Sequence, residues 1–508
     1  MRCLLTSLLV LCVIASPVCA TWSILIIDTR TGEIAVGSAT CLTGFNLRGI
    51  TPVLRVGRGA ACAQASVNLN SITNRQIIWN MLQANATPQQ ILAALAMSDP
   101  QHETRQYGII DVTGGKVTFS GGANFQWAGG VTGSVGPVHY VIQGNILTGS
   151  PVVSAAEQAV INTPGDLASK LMAAMQAARA MGGDGRCSCS QSAPMSCGAP
   201  PASFTKSAHI GFMVVARQGD LDGTCVSPWT GCASGQYYMT LDVANQNAVA
   251  PDPVVQLQSL FNAWRGSWLG RPDHHLSTVS LDPSELRADG GSQATATVTL
   301  RDWTGAVLTG GGAVVTPFLE AGSTATASLG PVTDNGDGTY TFTVTAGTIV
   351  GDAWLRLGVH DGTSSVVLSP ATRIRQHADP LWADAGTVSA AAGRTVMLQL
   401  DAGPSFAGRA YVLGGSLSGT APGLVVTPTI TVPLNMDPFL TSTITTEQNS
   451  SLLMNSAGML DGMGRATTVL NVAPGQAAPI IGHQTDWAFV IINPVDLASN
   501  AVPIIVVP

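Results

Sequence analysis

A hydroxyl is a weak nucleophile until a base removes its proton. A threonine at the start of a chain carries that base in its own α-amine, whose ordinary pKa of about 7.7–8.0 leaves much of it neutral near physiological pH. Thr21 is the residue of this 508-residue sequence placed to do such chemistry. It follows Val18-Cys19-Ala20, a small-residue cleavage pattern closing an apolar run from Cys3 to Ile14 behind Arg2, which is the layout of a secretory signal peptide. Cleavage after Ala20 would free the Thr21 amine, and a cut after Ala15 is the competing position. The reaction expected of a freed Thr21 is attack on an amide carbonyl, with general-base help of about 10²–10⁴-fold. The same residue also reads as an ordinary first residue of an exported chain.

The oxyanion formed by such an attack needs fixed donors. Asn145, in a Gly-Asn turn after a strand, and Gln64 and Asn68, after another, are the candidates for oxyanion or substrate contacts. Each also reads as a structural turn or capping amide. Arg105 and Asp99 are expected to form a salt bridge that shapes the domain. His102, His139 and His209 stand isolated and read as core or surface residues. Seven cysteines follow the signal segment: Cys41, Cys62, Cys187, Cys189, Cys197, Cys225 and Cys232. In an exported chain disulfides are the default, and Cys225 with Cys232 across a loop is the candidate bridge. The odd count leaves one thiol free or paired between chains. Cys187, Cys189 and Cys197 have neither a CxxC pair nor closely spaced histidines beside them, so no metal and no cofactor is expected.

The elements that must position these residues follow from apolar spacing. Trp22 to Ile27 and Ile34 to Thr40 read as strands around a Thr31-Gly32 turn, and Val53 to Ala65 as further extended chain. A strand directly behind Thr21 would hold it rigidly at a sheet end. Helices are expected over Ile72 to Leu82 and after Thr87-Pro88-Gln89-Gln90, which offers a capping box with proline in the first turn. Strands return at Gln106 to Asp111, Lys116 to Ser120 and Val138 to Gln143. Helices follow from Val152 to Val160 and from Asp166 to Met181, the second stopped by Gly182-Gly183. His209 to Ala216 and Tyr237 to Val243 read as strands, and Pro253 to Trp264 as a closing helix. This order suits two β layers between two helical layers, with ferredoxin-like or sandwich arrangements as alternatives.

Composition sets the outer bounds. Only 10% of residues are charged, against roughly 25% in ordinary soluble proteins, while 45% are hydrophobic. High hydrophobicity and a net charge of −7 argue against disorder, and no basic run supports nucleic-acid binding. No segment after the signal reads as a transmembrane helix. The length calls for several domains. Helical signals vanish near Arg271-Pro272. Beyond that point Val, Thr and Ala alternate, with turns such as Asp334-Asn335-Gly336-Asp337-Gly338, as in all-β sandwiches. That acidic turn lacks the ligand spacing of an EF-hand and is expected to close a hairpin.

Several motifs in the first half are similar to a known family. Thr21-Trp22-Ser23-Ile24, Asp28, Thr31-Gly32-Glu33 and Ala35-Val36-Gly37-Ser38 resemble the opening of domain-of-unknown-function family 1028. The resemblance continues through Gly57 to Ala60, Gln64-Ala65, Asp99, Arg105 to Asp111, Trp127-Ala128-Gly129, Gln143 to Leu147 and Gly182-Gly183-Asp184. It implies an αββα four-layer sandwich of the Ntn-hydrolase type with Thr21 as nucleophile, and hydrolysis of an amide, with a cell-wall substrate hinted by some relatives. Two departures stand out: Gly130 replaces a histidine common in relatives, and a Cys-rich insertion follows Arg186. Ser277 to Arg375 resembles the Ig-like modules of invasin and filamin-type proteins, and the last unit resembles a β-rich module of secreted bacterial proteins.

The expected layout is therefore a signal peptide over 1–20, an α+β Ntn-hydrolase-like domain over 21–275, an Ig-like sandwich over 276–378 and a β-rich domain over 379–508. Two functions follow. One is a secreted amidohydrolase with an N-terminal threonine. The other is a non-catalytic secreted or cell-surface protein whose β-modules bind a surface polymer or protein.

Overall fold

The computed structural model describes residues 21–66 and 71–508. The expected signal peptide over 1–20 and the candidate Asn68 lie outside these residues. The chain divides into two compact units, the first ending at Leu269 and the second spanning Gly270–Pro508.

The first unit holds strands β1 (Thr21–Asp28), β2 (Glu33–Thr40), β3 (Pro52–Arg55) and β4 (Gly59–Ala65), then helices α1 (Thr73–Gln83) and α2 (Pro88–Ser98). Strands β5 (Arg105–Asp111), β6 (Lys116–Ser120), β7 (Gly129–Val135) and β8 (Val138–Asn145) follow. Helices α3 (Pro151–Asn162), α4 (Leu167–Ala180) and the short α5 (Gly185–Ser188) precede β9 (Ile210–Ala216), β10 (Met239–Val243) and α6 (Pro253–Ser267). A six-stranded sheet runs β10-β9-β2-β1-β8-β7, and a four-stranded sheet runs β3-β4-β5-β6.

Strand alternation sorts β1 into two faces. Trp22, Ile24 and Ile26 pack under α3 and α4 with Leu171, Met175 and Val153. Leu25 and Ile27 point the other way and meet Leu54, Ala60, Cys62 and Ile110 of the smaller sheet. That sheet buries its opposite face, including Ala61, Tyr107 and Ile109, against Ile78, Leu82, Ile91 and Leu95 of α1 and α2. Both sheets are thus packed on both faces, which explains why β1 and β2 are buried along their whole length. The Thr87–Gln90 capping box forms, with Pro88 in the first turn. The extended chain read over Val53 to Ala65 is two strands, because Gly57 at φ +64° turns it back. Strand β7 lacks a sequence signal: it is Gly-rich and half-exposed, and it forms by pairing with β8 along its length.

Three disulfides join Cys41 to Cys187, Cys189 to Cys197 and Cys225 to Cys232, and Cys62 is a buried free thiol. Desolvation pushes the Cys62 thiol up to about 12, against a smaller opposing effect of its Ser23 hydrogen bond. It is an inert core residue at neutral pH.

The second unit is built of β-sheets with one short helix. Thr278–Asp282, Gln293–Thr299, Thr339–Ala346 and Ala327–Leu329 form one sheet, with Thr333–Asp334 paired to its third strand. Glu285–Arg287, Thr372–His377, Gly351–His360 and Val314–Leu319 form another. The Asp334–Gly338 segment is a hairpin turn closed by Asn335 N–H to Thr339 O at 3.0 Å. Towards the C-terminus a second pair of sheets encloses Leu398, Leu413, Trp487, Phe489 and Ile491.

Helix α7 (Pro438–Ile444) starts on Asp437, whose carboxylate also accepts from Ser416 Oγ at 2.8 Å and from Leu417 N at 2.8 Å. Desolvation pushes this carboxyl up. The hydrogen bonds from Leu440 N, Ser416, Ser418 and Leu417 N outweigh that and hold it at about 2. Its folded value lies below its unfolded value of about 3.9, so its contribution is full above pH 4 and is lost as pH falls through 2. Asp437→Ala is expected to cost about 1–2 kcal/mol at neutral pH, the range of a lost N-cap. In urea titrations, the gap between variant and parent should close between pH 4 and 2; a pH-independent gap would refute this account.

Candidate functional site

Thr21 begins β1, opposite Asn145, the last residue of β8. Its side chain shares the face of Ser23, Leu25 and Ile27, and so points between the two sheets. It has no exposed surface in the full-length chain. At this end of the inter-sheet layer apolar packing gives way to amides and hydroxyls. Gln64 of β4 and Gln106 of β5 lie across from Thr21 and Asn145, all buried.

Backbone carbonyls fix the orientation of the Gln106 and Gln64 amides, and Gln106 in turn fixes that of Asn145. Gln106 Nε2 donates to Gly144 O at 2.7 Å and to Ser120 Oγ at 2.7 Å, so Gln106 Oε1 faces the site as an acceptor. Gln64 Nε2 donates to Thr21 O at 2.8 Å and to Gln106 Oε1 at 2.7 Å. Gln64 Oε1 accepts from Ser23 Oγ at 2.5 Å, and Ser23 Oγ lies 2.9 Å from Ser38 Oγ. Asn145 Nδ2 donates to the same Gln106 Oε1 at 3.0 Å. Asn145 Oδ1 is therefore an acceptor, and it is buried with no partner among the described residues. Both Gln64 N–H groups are committed, whereas Asn145 keeps one free.

Thr21, Gln64 and Asn145, three residues singled out from the sequence, thus meet at one place. Asn145 closes a strand rather than sitting in a turn; the turn begins at Ile146, a β-branched residue held at φ +53°. Ala65, after Gln64, is at φ +72°. Two non-glycine residues in the left-handed region flanking one cluster mark local backbone strain. Gln106 was missed by sequence reasoning. Its signal is a polar residue on the Gln106–Gly108–Ile110 face of a strand, where the alternate positions are small or apolar.

The neighbouring motif residues hold β1 in place. The Trp22 ring fills the space over Gly183, where a Cβ would lie 2.6 Å from it, and Gly183 sits at φ +59°. Asp184, fully buried, accepts from Cys41 N at 2.8 Å and from Arg186 Nη2 at 2.8 Å. At Gly130 a Cβ would lie 2.5 Å from Thr118 Oγ1 and 2.8 Å from Ile142 O, so this backbone leaves no room for a side chain there. His209 lies with Cys41 and Cys187, but those two sulfurs are bonded to each other and are not open to a metal. Among the described residues no helix is long and apolar enough to cross a membrane.

Two family models match the chain, one in each unit. Residues 21–208 match the family of unknown function DUF1028, and residues 273–371 match invasin, domain 3. No curated protein matches. Among solved structures, the protein SPO2555 from Silicibacter pomeroyi, of family DUF1028, is 20% identical. It aligns over 48% of this chain and 88% of its own, with a TM-score of 0.35. The Yersinia pseudotuberculosis adhesin InvE is 20% identical over 45% of this chain and 58% of its own, with a TM-score of 0.15. Invasin, a bacterial integrin-binding protein, is 11% identical over 96% of this chain and 60% of its own, with a TM-score of 0.17.

Proposed function

We propose that this is an extracellular or cell-surface protein whose Ig-like β-modules bind a surface protein or polymer, with the N-terminal unit as an αββα scaffold of the Ntn type. The observation that carries this reading is the match of residues 273–371 to an invasin domain. Three disulfides in the first unit suit an oxidising compartment. The expected result is twofold: brief protease treatment of intact cells removes the protein, and non-reducing peptide mapping recovers the three bridges. A cytosolic protein with reduced cysteines would overturn the reading.

A second reading is favoured by one feature, the meeting of Thr21 with Asn145 and Gln64 at a strand end. In it, removal of residues 1–20 frees the Thr21 amine, which activates the Thr21 hydroxyl for attack on an amide. The free N–H of Asn145 is then the better candidate to stabilise the oxyanion, because both N–H groups of Gln64 are engaged. N-terminal sequencing of the exported protein should begin at Thr21. Thr21→Ala should lower amide turnover at least about 10²-fold without unfolding the chain. A mature chain starting at Ser16 or Trp22 would exclude it.

A further inference from the structure

A cavity of about 210 Å³ opens on the α1 side of the small sheet, across that sheet from the amide cluster, lined by Gln64, Asn74, Arg75, Asp99, Arg105 and Tyr107 together with Ser98 and other small residues. Gln64 borders the cavity, while its side chain points the other way and bonds Thr21 O and Gln106 Oε1. The walls are unusually rich in buried charge, since Arg75, Asp99 and Arg105 are each less than a tenth exposed.

The hydrogen-bond inventory of these walls is lopsided. Asp99 is spent as an acceptor. It takes Arg105 Nε at 2.8 Å, Asn74 Nδ2 at 2.6 Å and Gln101 N at 2.9 Å. Asn74 Nδ2 also donates to Tyr107 Oη at 2.8 Å, which turns the Tyr107 hydroxyl hydrogen elsewhere. Arg105 uses Nε and Nη2, the latter on Gln101 Oε1 at 3.0 Å, and among the described residues Nη1 has no hydrogen-bond partner. The spare groups are therefore the Arg105 Nη1 donors, the Tyr107 O–H and the Ser98 hydroxyl, with Asn74 Oδ1 as a remaining acceptor. Arg75 spends Nη1 on Gly49 O at 2.7 Å and Nη2 on Pro228 O at 3.1 Å, both uncharged partners, so the lining sets two arginines against the one carboxylate of Asp99.

We propose that this cavity is a binding site for a small carboxylate-bearing molecule, whose oxygens accept from Arg105 Nη1 and Tyr107 Oη. A carboxylate supplies acceptors and the missing negative charge together, and charge-assisted bonds to a buried guanidinium are the strong ones. A neutral molecule of the same shape satisfies only part of this inventory. Burial alone pushes the Arg75 guanidinium down to about 10, and a bound anion would oppose that. The site goes beyond the surface-binding function and does not need Thr21 to react.

The test is calorimetric titration of the full-length protein with glutarate and with glutaramide, its neutral diamide of matching shape. Glutarate should bind at least tenfold more tightly than glutaramide. Tyr107→Phe keeps the ring and removes one donor, and should weaken glutarate about tenfold, the worth of one hydrogen bond to a charged group. Arg105→Lys keeps the charge and loses the planar fork, and should weaken it further. The melting temperature of each variant is read alongside, and Tyr107→Phe decides if Arg105→Lys fails to fold. Equal affinity for the two probes, no binding of either, or glutarate binding untouched by Tyr107→Phe in a folded protein would each overturn the proposal.

Discussion

Cys41→Ser is expected to be the most destabilising cysteine replacement in the chain. The Cys41–Cys187 bridge closes a loop of sequence separation 146, whereas Cys225–Cys232 closes one of only 7. The entropy that a cross-link removes from the unfolded chain grows with the logarithm of loop length, giving about 5 kcal/mol for the long loop and about 2.5 kcal/mol for the short one. The long bridge also ties the end of β2 to α5, beside Asp184, which accepts from Cys41 N and Arg186. Losing it should loosen the frame around Trp22 and the start of β1. Denaturant unfolding of Cys41→Ser and Cys225→Ser, each paired with its partner replacement, tests the order. A Cys225–Cys232 loss as large as the Cys41–Cys187 loss would show that native-state strain, rather than chain entropy, sets the stabilities.

Gln106→Leu is expected to cost about 3–5 kcal/mol, although leucine matches glutamine in size and the site is fully buried. The reason is the hub position of this one amide. Its Oε1 accepts from both Gln64 and Asn145, and its Nε2 reaches Gly144 O and Ser120 Oγ. Leucine would orphan the buried amide donors of Gln64 and Asn145 and the buried Gly144 carbonyl, and would strip a partner from the part-buried Ser120 hydroxyl. Each such group costs about 1–3 kcal/mol, partly recovered by rotation of Gln64 or Asn145. Gln89→Leu, on the exposed start of α2, should change stability by no more than about 0.5 kcal/mol. Urea midpoints of the two variants are the check. Near-equal midpoints would mean that the amide network is dispensable, and with it the pre-organised surroundings of Thr21.

The two effects differ in where they act. The disulfide works mainly on the unfolded ensemble and should slow unfolding little if its ends are already joined in the transition state. The amide network exists only in the folded state. Its loss should also appear locally, as faster amide exchange at Trp22 and Ser23, while the α1 and α2 layer keeps its protection.

Local sequence was sufficient for most elements of the first unit. The capping box at Thr87, the glycine stop after Met181 and the apolar strand behind Thr21 are properties of neighbouring residues, and local physics acts on neighbours. Strand β7 was not legible, because a Gly-rich segment with only a half-buried face becomes a strand only when β8 is there to pair with it. Nor was the split of Val53 to Ala65 into two strands, which depends on Gly57 turning the chain so that β4 can reach β5. The site shows the same division. Thr21, Gln64 and Asn145 could be picked out singly as residue types able to do chemistry, and the charged pair Asp99–Arg105 by its proximity in sequence. Gln106, the group that connects them, looked like any polar residue in a strand. Only the stacking of two sheets puts its side chain in the layer where Thr21 and Asn145 end. A buried amide gains its meaning from which carbonyls surround it, and those come from strands scores of residues apart.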